Sequence, residues 1–207
     1  MKKFIMKFYV GIIFLFLYIP IFTLIGLSFN ASLSRSVWGG FTLEWYTSLF
    51  ANSTILNALR NTLVIALLSS VIATIIALLA VISMTKMHYV PRKVITGFGD
   101  IPMLNADIVT GIILMLLLST FFRLGFASIL LAHITFNIPY CFLSIYPKYR
   151  SVNFSVYESA LDLGAGPFYA FIKVVLPEIM PGIVSGMIMA ITLSMDDFVV
   201  TYFTKGA

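Results

Sequence analysis

Apolar residues fill the chain in five long runs, and charged or helix-breaking residues separate them. A helix needs about 20 mostly apolar residues to cross a lipid bilayer. The runs predict membrane spans at 8–27, 63–84, 101–122, 126–146 and 179–203. The connection between the third and fourth spans is very short, so these two helices are expected to form an antiparallel hairpin. The pattern therefore predicts an all-α, polytopic transmembrane helical bundle, organised as one domain over 1–207.

Composition supports lipid as the solvent of this bundle. The chain is 60% hydrophobic and 10% charged, and its mean hydropathy is +1.04. A soluble domain usually carries about 25% charged residues. The net charge of +5 is compatible with nucleic-acid binding, but the basic residues fall between the apolar runs and form no patch. We therefore expect membrane lipid, and no nucleic acid, as a partner.

Basic residues are distributed unequally between the two sides of the predicted bundle. Nine Lys and Arg residues lie on the side of the N-terminus, and four lie on the other side. Cytoplasmic loops carry the excess of Lys and Arg in membrane proteins. The sequence therefore predicts a multi-pass protein of the inner membrane with a cytoplasmic N-terminus. It also predicts a cytoplasmic loop at 147–178 and an outer loop at 28–60.

Two adjacent acids, Asp196 and Asp197, lie in the fifth predicted span. Charged side chains inside a membrane normally face a cavity or a partner. On an ideal helix Asp196 shares one face with Ser185, Met189 and Thr192, whereas Asp197 points about 100° away. At least one of the acids, together with Thr192, is a candidate for the lining of a substrate path. The competing interpretation is a structural cap or pair near the membrane interface.

Three other residues of the spans have both a functional and a structural interpretation. Asp107 opens the third span, either as a second acid on a substrate path or as a charge favoured by the helix dipole, and we favour the structural role. His133 has no His, Cys or Glu at ligand spacing, so we expect a packed hydrogen-bonding residue and no metal site. Cys141 is the single cysteine and is expected to pack as a small hydrophobic residue.

The loop at 147–178 is punctuated by prolines and glycines. Pro147 is expected to limit the fourth span, and Pro177 marks the entry to the fifth. Gly164 and Gly166 predict two short helices that meet at a bend. The segment is too polar to span the membrane and too apolar to float free in water. It is therefore either a connector that lies on the membrane or a docking element for a partner.

One stretch of this loop carries a family resemblance. The order Glu158-Ser-Ala-Leu-Asp-Leu-Gly-Ala165, followed by Val175-Leu-Pro177 and Pro181-Gly182, resembles the EAA loop of ABC-importer permeases. Ser159 stands in place of the middle residue of the Glu-Ala-Ala pattern, an alanine. The resemblance implies that the loop docks into a cytoplasmic ABC ATPase, expected as a dimer. The implied coupling residues are Glu158, Ser159, Ala160, Asp162, Gly164 and Ala165.

Further matches narrow the resemblance to the second permease subunit of spermidine/putrescine importers. They are Ser28-Phe-Asn30, Ala132-His-Ile-Thr-Phe136 and Leu193-Ser-Met-Asp-Asp-Phe198. The resemblance implies the type I ABC-importer permease fold, with a sixth span expected beyond the last residue. It also implies a second homologous permease subunit and an external polyamine-binding protein as partners. ATP and Mg are expected on the ATPase and no cofactor on this chain, which has no Walker A pattern.

The predicted function is a non-catalytic permease subunit that carries polyamines into the cytoplasm by alternating access, driven by a separate ATPase. One alternative is a permease of the same kind for another small solute, and another is a channel or secondary transporter. An intramembrane aspartyl protease that uses Asp107 and Asp196 is disfavoured, because neither acid lies in a glycine-flanked aspartyl motif. Co-purification of an ATPase distinguishes the importer from the channel, the secondary transporter and the protease.

Overall fold

The computed structural model describes residues 2–34, 36–84, 107–121 and 123–206. Within these residues the regular elements are helices, and the β pairing is limited to an isolated bridge between Asn30 and Phe41. The predicted all-α class is therefore confirmed. The chain divides into two compact units, Met1–Leu59 and Arg60–Ala207.

Long apolar helices dominate the described residues. The helices are α1 (Lys2–Leu27), α2 (Glu44–Ala51), α3 (Ser53–Met84), α4 (Asp107–Phe121), α5 (Phe126–Ser151), α6 (Phe154–Asp162), α7 (Pro167–Asp196) and α8 (Phe198–Thr204). Among these, four are long and apolar enough to cross a membrane, namely α1, α3, α5 and α7. The helix α4 is shorter, and the beginning of the predicted span at 101–122 lies outside the described residues.

The second membrane helix begins earlier than the apolar pattern predicts. α3 starts at Ser53 instead of near 63, so Arg60 lies inside the helix and the preceding loop is shorter than 28–60. The Oδ1 atom of Asn52 accepts hydrogen bonds from the backbone N–H groups of Thr54 at 3.1 Å and Ile55 at 3.2 Å. An asparagine at this position satisfies free N–H groups of the first turn and so stabilises a helix start there.

The loop predicted at 147–178 is largely helical. α5 continues past Pro147, because the fixed φ of proline fits a helix and the burial of Tyr149 offsets the lost hydrogen bond. α7 begins at Pro167 instead of near 179, and a π-helical turn at Phe171–Val175 leads into its long α-helical part. The predicted bend at Gly164 and Gly166 between two helices is thus confirmed, but the second helix is not short, because it continues through the π-helical turn into the long part of α7.

The span predicted at 179–203 is interrupted near its end. α7 ends at Asp196 and α8 begins at Phe198, while Asp197 between them has an extended backbone with φ −75° and ψ 93°. The Oδ1 atom of Asp197 accepts a hydrogen bond from the backbone N–H of Val200 at 3.0 Å. A short acidic side chain competes with the helix for backbone N–H groups, and here it ends one helix and caps the next.

Close contact between α5 and α7 organises the unit Arg60–Ala207. A Cβ atom added at Gly182 would lie 3.0 Å from the carbonyl oxygen of Ser144, and one at Gly186 would lie 3.2 Å from the Cα atom of Cys141. Glycine thus lets the two helices approach closely, as small residues do between membrane helices. Cys141 is fully buried in this contact, which confirms its packing role.

α3 turns small residues toward the same core and leucines away from it. Its buried residues include Ala66, Ser69, Ser70, Ala73 and Ala77, and its exposed residues include Leu63, Leu67, Leu68 and Leu79. Lipid is as apolar as leucine, so hydrophobicity does not decide which face of a membrane helix packs inward. Close backbone approach decides it, and small side chains permit that approach.

In the unit Met1–Leu59, Asn30 organises the turn that follows α1. Its Nδ2 donates to the carbonyl of Val37 at 2.8 Å, and its Oδ1 accepts from the N–H of Gly39 at 2.7 Å. The indole Nε1 of Trp45 donates to the Asn30 carbonyl at 2.8 Å. One buried asparagine therefore connects the turn to α2, the short helix that carries Trp45.

Candidate transport path and coupling segment

The short helix α6 ends in a Schellman motif that uses the residues of the coupling pattern. The N–H of Ala165 donates to the carbonyl of Ala160 at 3.0 Å, and the N–H of Gly164 donates to that of Leu161 at 2.9 Å. Gly164 has φ +89°, the left-handed conformation that this motif requires. Apart from its chain neighbours, no atom of the described residues lies within 4 Å of the position a Cβ would take at Gly164. Backbone conformation within this chain is thus sufficient reason for the glycine.

One face of α6 is attached to the core and the other is exposed. The ring of Phe154 packs against Tyr149 with 5.4 Å between centroids, and Tyr157 contacts the same core. The predicted coupling residues Ala160 and Ala165 are half-buried. The exposed coupling residues are Glu158, Ser159, Asp162 and Gly164. The structure therefore brings all six predicted residues together on one helix and its C-terminal turn.

Large apolar side chains surround this turn and are open to a partner. Leu163 is 89% exposed and Phe168 is 77% exposed, and Tyr169 beside it is also exposed. We call Glu158, Asp162, Leu163, Phe168 and Tyr169 the coupling surface. Exposed apolar groups next to charged ones are typical of protein interaction sites. The predicted site lacked Leu163, Phe168 and Tyr169, although bulky apolar residues beside a glycine turn are a signal visible in the sequence.

Asp196 and Asp197 line one cavity of about 310 Å³ in the unit Arg60–Ala207. The other lining residues are aromatic or aliphatic: Phe136, Tyr140, Leu193, Phe198 and Val199. The rings of Phe136 and Tyr140 lie 5.3 Å apart on α5. Carboxylates bind cations through charge-assisted hydrogen bonds, and aromatic faces attract them further. The cavity therefore has the chemistry of a site for an organic cation.

The two acids have different environments, as their angular separation on a helix predicts. Asp196 is exposed at the end of α7. Asp197 is half-buried, its Oδ1 caps α8, and its Oδ2 is buried with no hydrogen-bond partner in the described part of the chain. Asp196 is thus the acid that is free to meet a solute, whereas Asp197 also maintains the backbone break.

The predicted stripe of α7 lies on the outer side of this unit. Ser185, Met189, Thr192 and Asp196 are all exposed, and the hydroxyl of Thr192 donates to the carbonyl of Ile188 at 2.9 Å. The opposite face of α7 is buried; its buried residues include Gly182, Gly186, Ala190 and Ser194. Among the described residues of this unit, nothing therefore covers the stripe.

A chain of hydrogen-bonded polar side chains, four of them buried, crosses the unit Arg60–Ala207. Asn137 Nδ2 lies 3.3 Å from the hydroxyl of Ser69, which lies 3.3 Å from that of Ser194. Ser194 Oγ lies 2.7 Å from His133 Nδ1, and His133 Nε2 lies 2.9 Å from the half-buried Thr201 Oγ1. The prediction that His133 is a packed hydrogen-bonding residue is thus confirmed. Asn137 shares α5 with His133, whereas the other three members lie on three other helices and have no common sequence pattern.

A second cavity and Asp107 give less support for a substrate path. A cavity of about 490 Å³ in the unit Met1–Leu59 is lined by Asn30, Trp45, Tyr46 and six other residues, none of them charged. A site without a carboxylate offers an organic cation no counter-charge. Asp107 is the first residue of α4, and its side chain lies outside the described residues.

Several long apolar helices, together with a short helix that exposes apolar and acidic residues to a partner, are the architecture of a transport permease subunit. The chain belongs to the family described as binding-protein-dependent transport system inner membrane component, whose model matches residues 78–207.

Similar proteins support this assignment over nearly the whole chain. The spermidine/putrescine transport system permease protein PotC of Escherichia coli K12 is 36% identical over 195 residues, which cover 94% of this chain and 74% of PotC. PotC of Haemophilus influenzae is 35% identical, with 94% and 76% covered. The putrescine transport system permease protein PotI of Escherichia coli K12 is 34% identical, with 93% and 72% covered.

The family settles the class of function. The chain is a non-catalytic, multi-pass permease subunit of an ABC importer in the inner membrane, and the predicted fold class is confirmed. The channel, the secondary transporter and the aspartyl protease are set aside, because the family consists of transport-system components. Membership also implies an ATPase and a binding protein as partners.

Proposed function

We propose that this chain forms half of the path through which an ATP-driven importer carries polyamines, spermidine or putrescine, into the cytoplasm. The observation that carries the proposal is the cavity that contains Asp196 and Asp197 next to Phe136, Tyr140 and Phe198. A polyamine is an extended chain of ammonium groups. Carboxylates and aromatic faces in one cavity match that chemistry, and the relatives named above are permeases for spermidine and putrescine.

A second permease subunit completes the path in this proposal. The stripe of Ser185, Thr192 and Asp196 is exposed on α7. A carboxylate that faces lipid is costly, so Asp196 is expected to face a partner or a water-filled path. A homologous subunit that packs against this face supplies the other wall, and the external binding protein delivers the polyamine to the opening between the two subunits.

The coupling surface docks onto the cytoplasmic ATPase, which binds ATP and Mg and hydrolyses ATP, while this chain binds neither. Glu158 and Asp162 offer carboxylates to basic groups of the ATPase, and Leu163 and Phe168 offer apolar contacts. Phe154 and Tyr157 hold α6 against the core that contains α7. Movement of a dimeric ATPase is thereby transmitted to the helix that carries Asp196. A cytoplasmic α6 is required for this docking, and the excess of basic residues on the side of α6 and of the N-terminus supports a cytoplasmic position for both.

Transport assays with the whole complex test this function. The chain is reconstituted in proteoliposomes with its ATPase, the second permease subunit and the binding protein, and ATP-dependent uptake of radiolabelled spermidine and putrescine is measured. We expect saturable polyamine uptake that unlabelled polyamine competes away and a neutral sugar does not. Uptake of another solute with no uptake of either polyamine would contradict the proposed cargo and would support an importer for a different small molecule.

A further inference from the structure

One side chain of α5 forms hydrogen bonds on both sides of the break between α7 and α8. His133 Nδ1 lies 2.7 Å from the hydroxyl of Ser194, which precedes the break, and His133 Nε2 lies 2.9 Å from the hydroxyl of Thr201, which follows it. His133 is 1% exposed, and Ser194 is also buried. One imidazole therefore joins the last turn of one helix to the first turn of the next.

One assignment of the protons, with a neutral imidazole, satisfies the hydrogen bonds that His133 and Thr201 make in this contact. In this assignment the single proton of the Thr201 hydroxyl is donated to the carbonyl of Asp197 at 3.0 Å. Thr201 Oγ1 must then accept from His133 Nε2–H, which leaves Nδ1 of the neutral ring as an acceptor. Ser194 accordingly donates to Nδ1. The imidazole thus makes one directed hydrogen bond on each side of Asp197.

The break decides how Asp197 and the residues after it lie relative to Asp196. Asp196 is the last residue of α7, and Asp197 has an extended backbone. A continuous helix through 197 would leave Asp196 in place and carry the Asp197 carboxylate about 100° around the helix axis. The angle of the break therefore sets the geometry of Asp197 and Phe198 relative to Asp196 in the cavity.

We infer that His133 is a positioning residue for transport: with Ser194 and Thr201 it forms a clamp across the break at Asp197, and this clamp sets the position of Asp197 and Phe198 relative to Asp196 in the cavity. The inference rests on the proposed function, because it assigns the acids to the polyamine path. It gives a role to a buried imidazole that touches neither ATPase nor cargo. Buried polar side chains between membrane helices are costly unless they are paired, and here the hydrogen bonds of His133 connect two helix ends to α5.

Two measurements on the assembled transporter test the clamp. Spin labels at Val184→Cys and Tyr202→Cys, both on exposed positions, report the distance across the break in a Cys141→Ala background, which removes the single native cysteine. The KM for spermidine uptake, measured per assembled complex, reports the geometry of the acids. The variants are His133→Phe, which fills the space without hydrogen bonds, and Thr201→Val, which removes one bond from the far side of the break.

We expect His133→Phe to broaden the distance distribution and to raise KM roughly tenfold to a hundredfold, as a displacement of about 1 Å at a reacting group can do. Thr201→Val is expected to act in the same direction with a smaller effect. His133→Gln restores a donor where Nε2–H stands, so its KM is expected to return toward that of the unaltered protein. The matched control is Ser70→Ala, a buried serine whose hydroxyl donates within its own helix to Leu67 at 3.0 Å.

Several results would overturn the inference. An unchanged distance distribution in both His133→Phe and Thr201→Val shows that no clamp exists. A broadened distribution with an unchanged KM, or a KM that rises equally in Ser70→Ala, shows a structural role only. The Asp196→Asn variant leaves every bond of the clamp in place. Normal transport by that variant counts against the proposed path, and so the two failures can be told apart.

Discussion

The N–H of Ala165 donates to the carbonyl of Ala160 at 3.0 Å, and this bond closes the C-terminal turn of α6. It explains the glycine of the coupling pattern from the conformation of this chain alone. A Schellman motif needs a left-handed residue, here Gly164, one position before the donor. The same turn leaves the side chain of Leu163 almost fully exposed on the coupling surface.

The left-handed glycine predicts a sharp contrast between two neighbouring substitutions. Gly164→Ser is expected to distort the turn, because φ is +89° there and a side chain costs about 1–2 kcal/mol in that conformation. Gly166→Ser is the matched control, since Gly166 has φ −64°, equally open surroundings and a helix N-cap position that suits serine. ATP-dependent uptake by assembled complexes should fall in the first variant only. Equal uptake in both would show that the turn geometry is not needed for coupling.

Reversing a charge on the coupling surface is expected to weaken ATPase binding, whereas reversing a charge elsewhere is not. Glu158→Lys reverses an exposed carboxylate of α6, and the loss of a charge-assisted contact typically costs about 1.5–3 kcal/mol. Affinity for the ATPase should therefore fall roughly tenfold to a hundredfold in a pull-down titration with purified ATPase. Glu44→Lys, an exposed reversal on α2, is the control. If both variants bind the ATPase as the unaltered protein does, α6 is a connector instead of a docking element.

The two adjacent acids are expected to respond differently to the same substitution. Asp196→Asn removes an exposed charge from the cavity, and the KM for polyamine uptake should rise about tenfold or more. Asp197→Asn keeps an acceptor for the N–H of Val200, and asparagine caps a helix as well as aspartate does, so a smaller change is expected. Asp197→Ala removes the cap and should lower stability by about 1 kcal/mol. If Asp197→Asn strongly impaired uptake while Asp196→Asn transported normally, Asp197 and not Asp196 would be the acid that contacts the polyamine.

The close contact between α5 and α7 predicts that a side chain added at Gly182 destabilises the folded protein. A Cβ at Gly182 meets Ser144 O at 3.0 Å and Lys148 Cγ at 2.9 Å. Gly182→Val is therefore expected to destabilise the detergent-solubilised protein by about 1–3 kcal/mol, measured by thermal unfolding. Gly11→Val on α1 has no described atom within 4 Å of the new Cβ and serves as the control. Similar melting temperatures for both variants would mean that α5 and α7 are not so closely packed in the membrane.

The proposed orientation predicts a labelling pattern in intact cells. In a Cys141→Ala background, a membrane-impermeant thiol reagent should label Ser34→Cys and leave Ser155→Cys unlabelled until the cells are opened. Both positions are exposed, so access to the reagent depends on the side of the membrane alone. External labelling of position 155 but not of position 34 would reverse the topology and separate α6 from a cytoplasmic ATPase.

The sequence by itself determined the helical membrane class, because the length of an apolar run is a local property and decides whether a helix can cross the bilayer. It also determined the coupling turn, since Gly164 and the small residues around it specify their conformation within a few residues. The ends of α3, α5 and α7 were less predictable: Asn52 extends a helix with two hydrogen bonds, and burial of Tyr149 carries another past Pro147. The length of an apolar run does not reveal such helix caps and tertiary contacts.

Only the tertiary structure decided which face of each helix packs inward and what the buried polar residues do. Leucine gains nothing by leaving lipid, so the inner face of α3 is selected by small residues that permit contact, and hydropathy does not distinguish the faces. His133 meets Ser194 and Thr201 across separations of 61 and 68 residues. No local pattern encodes such a meeting. It arises because the packing of α5 against α7 and α8 brings three hydrogen-bonding groups together where the membrane offers them no other partner.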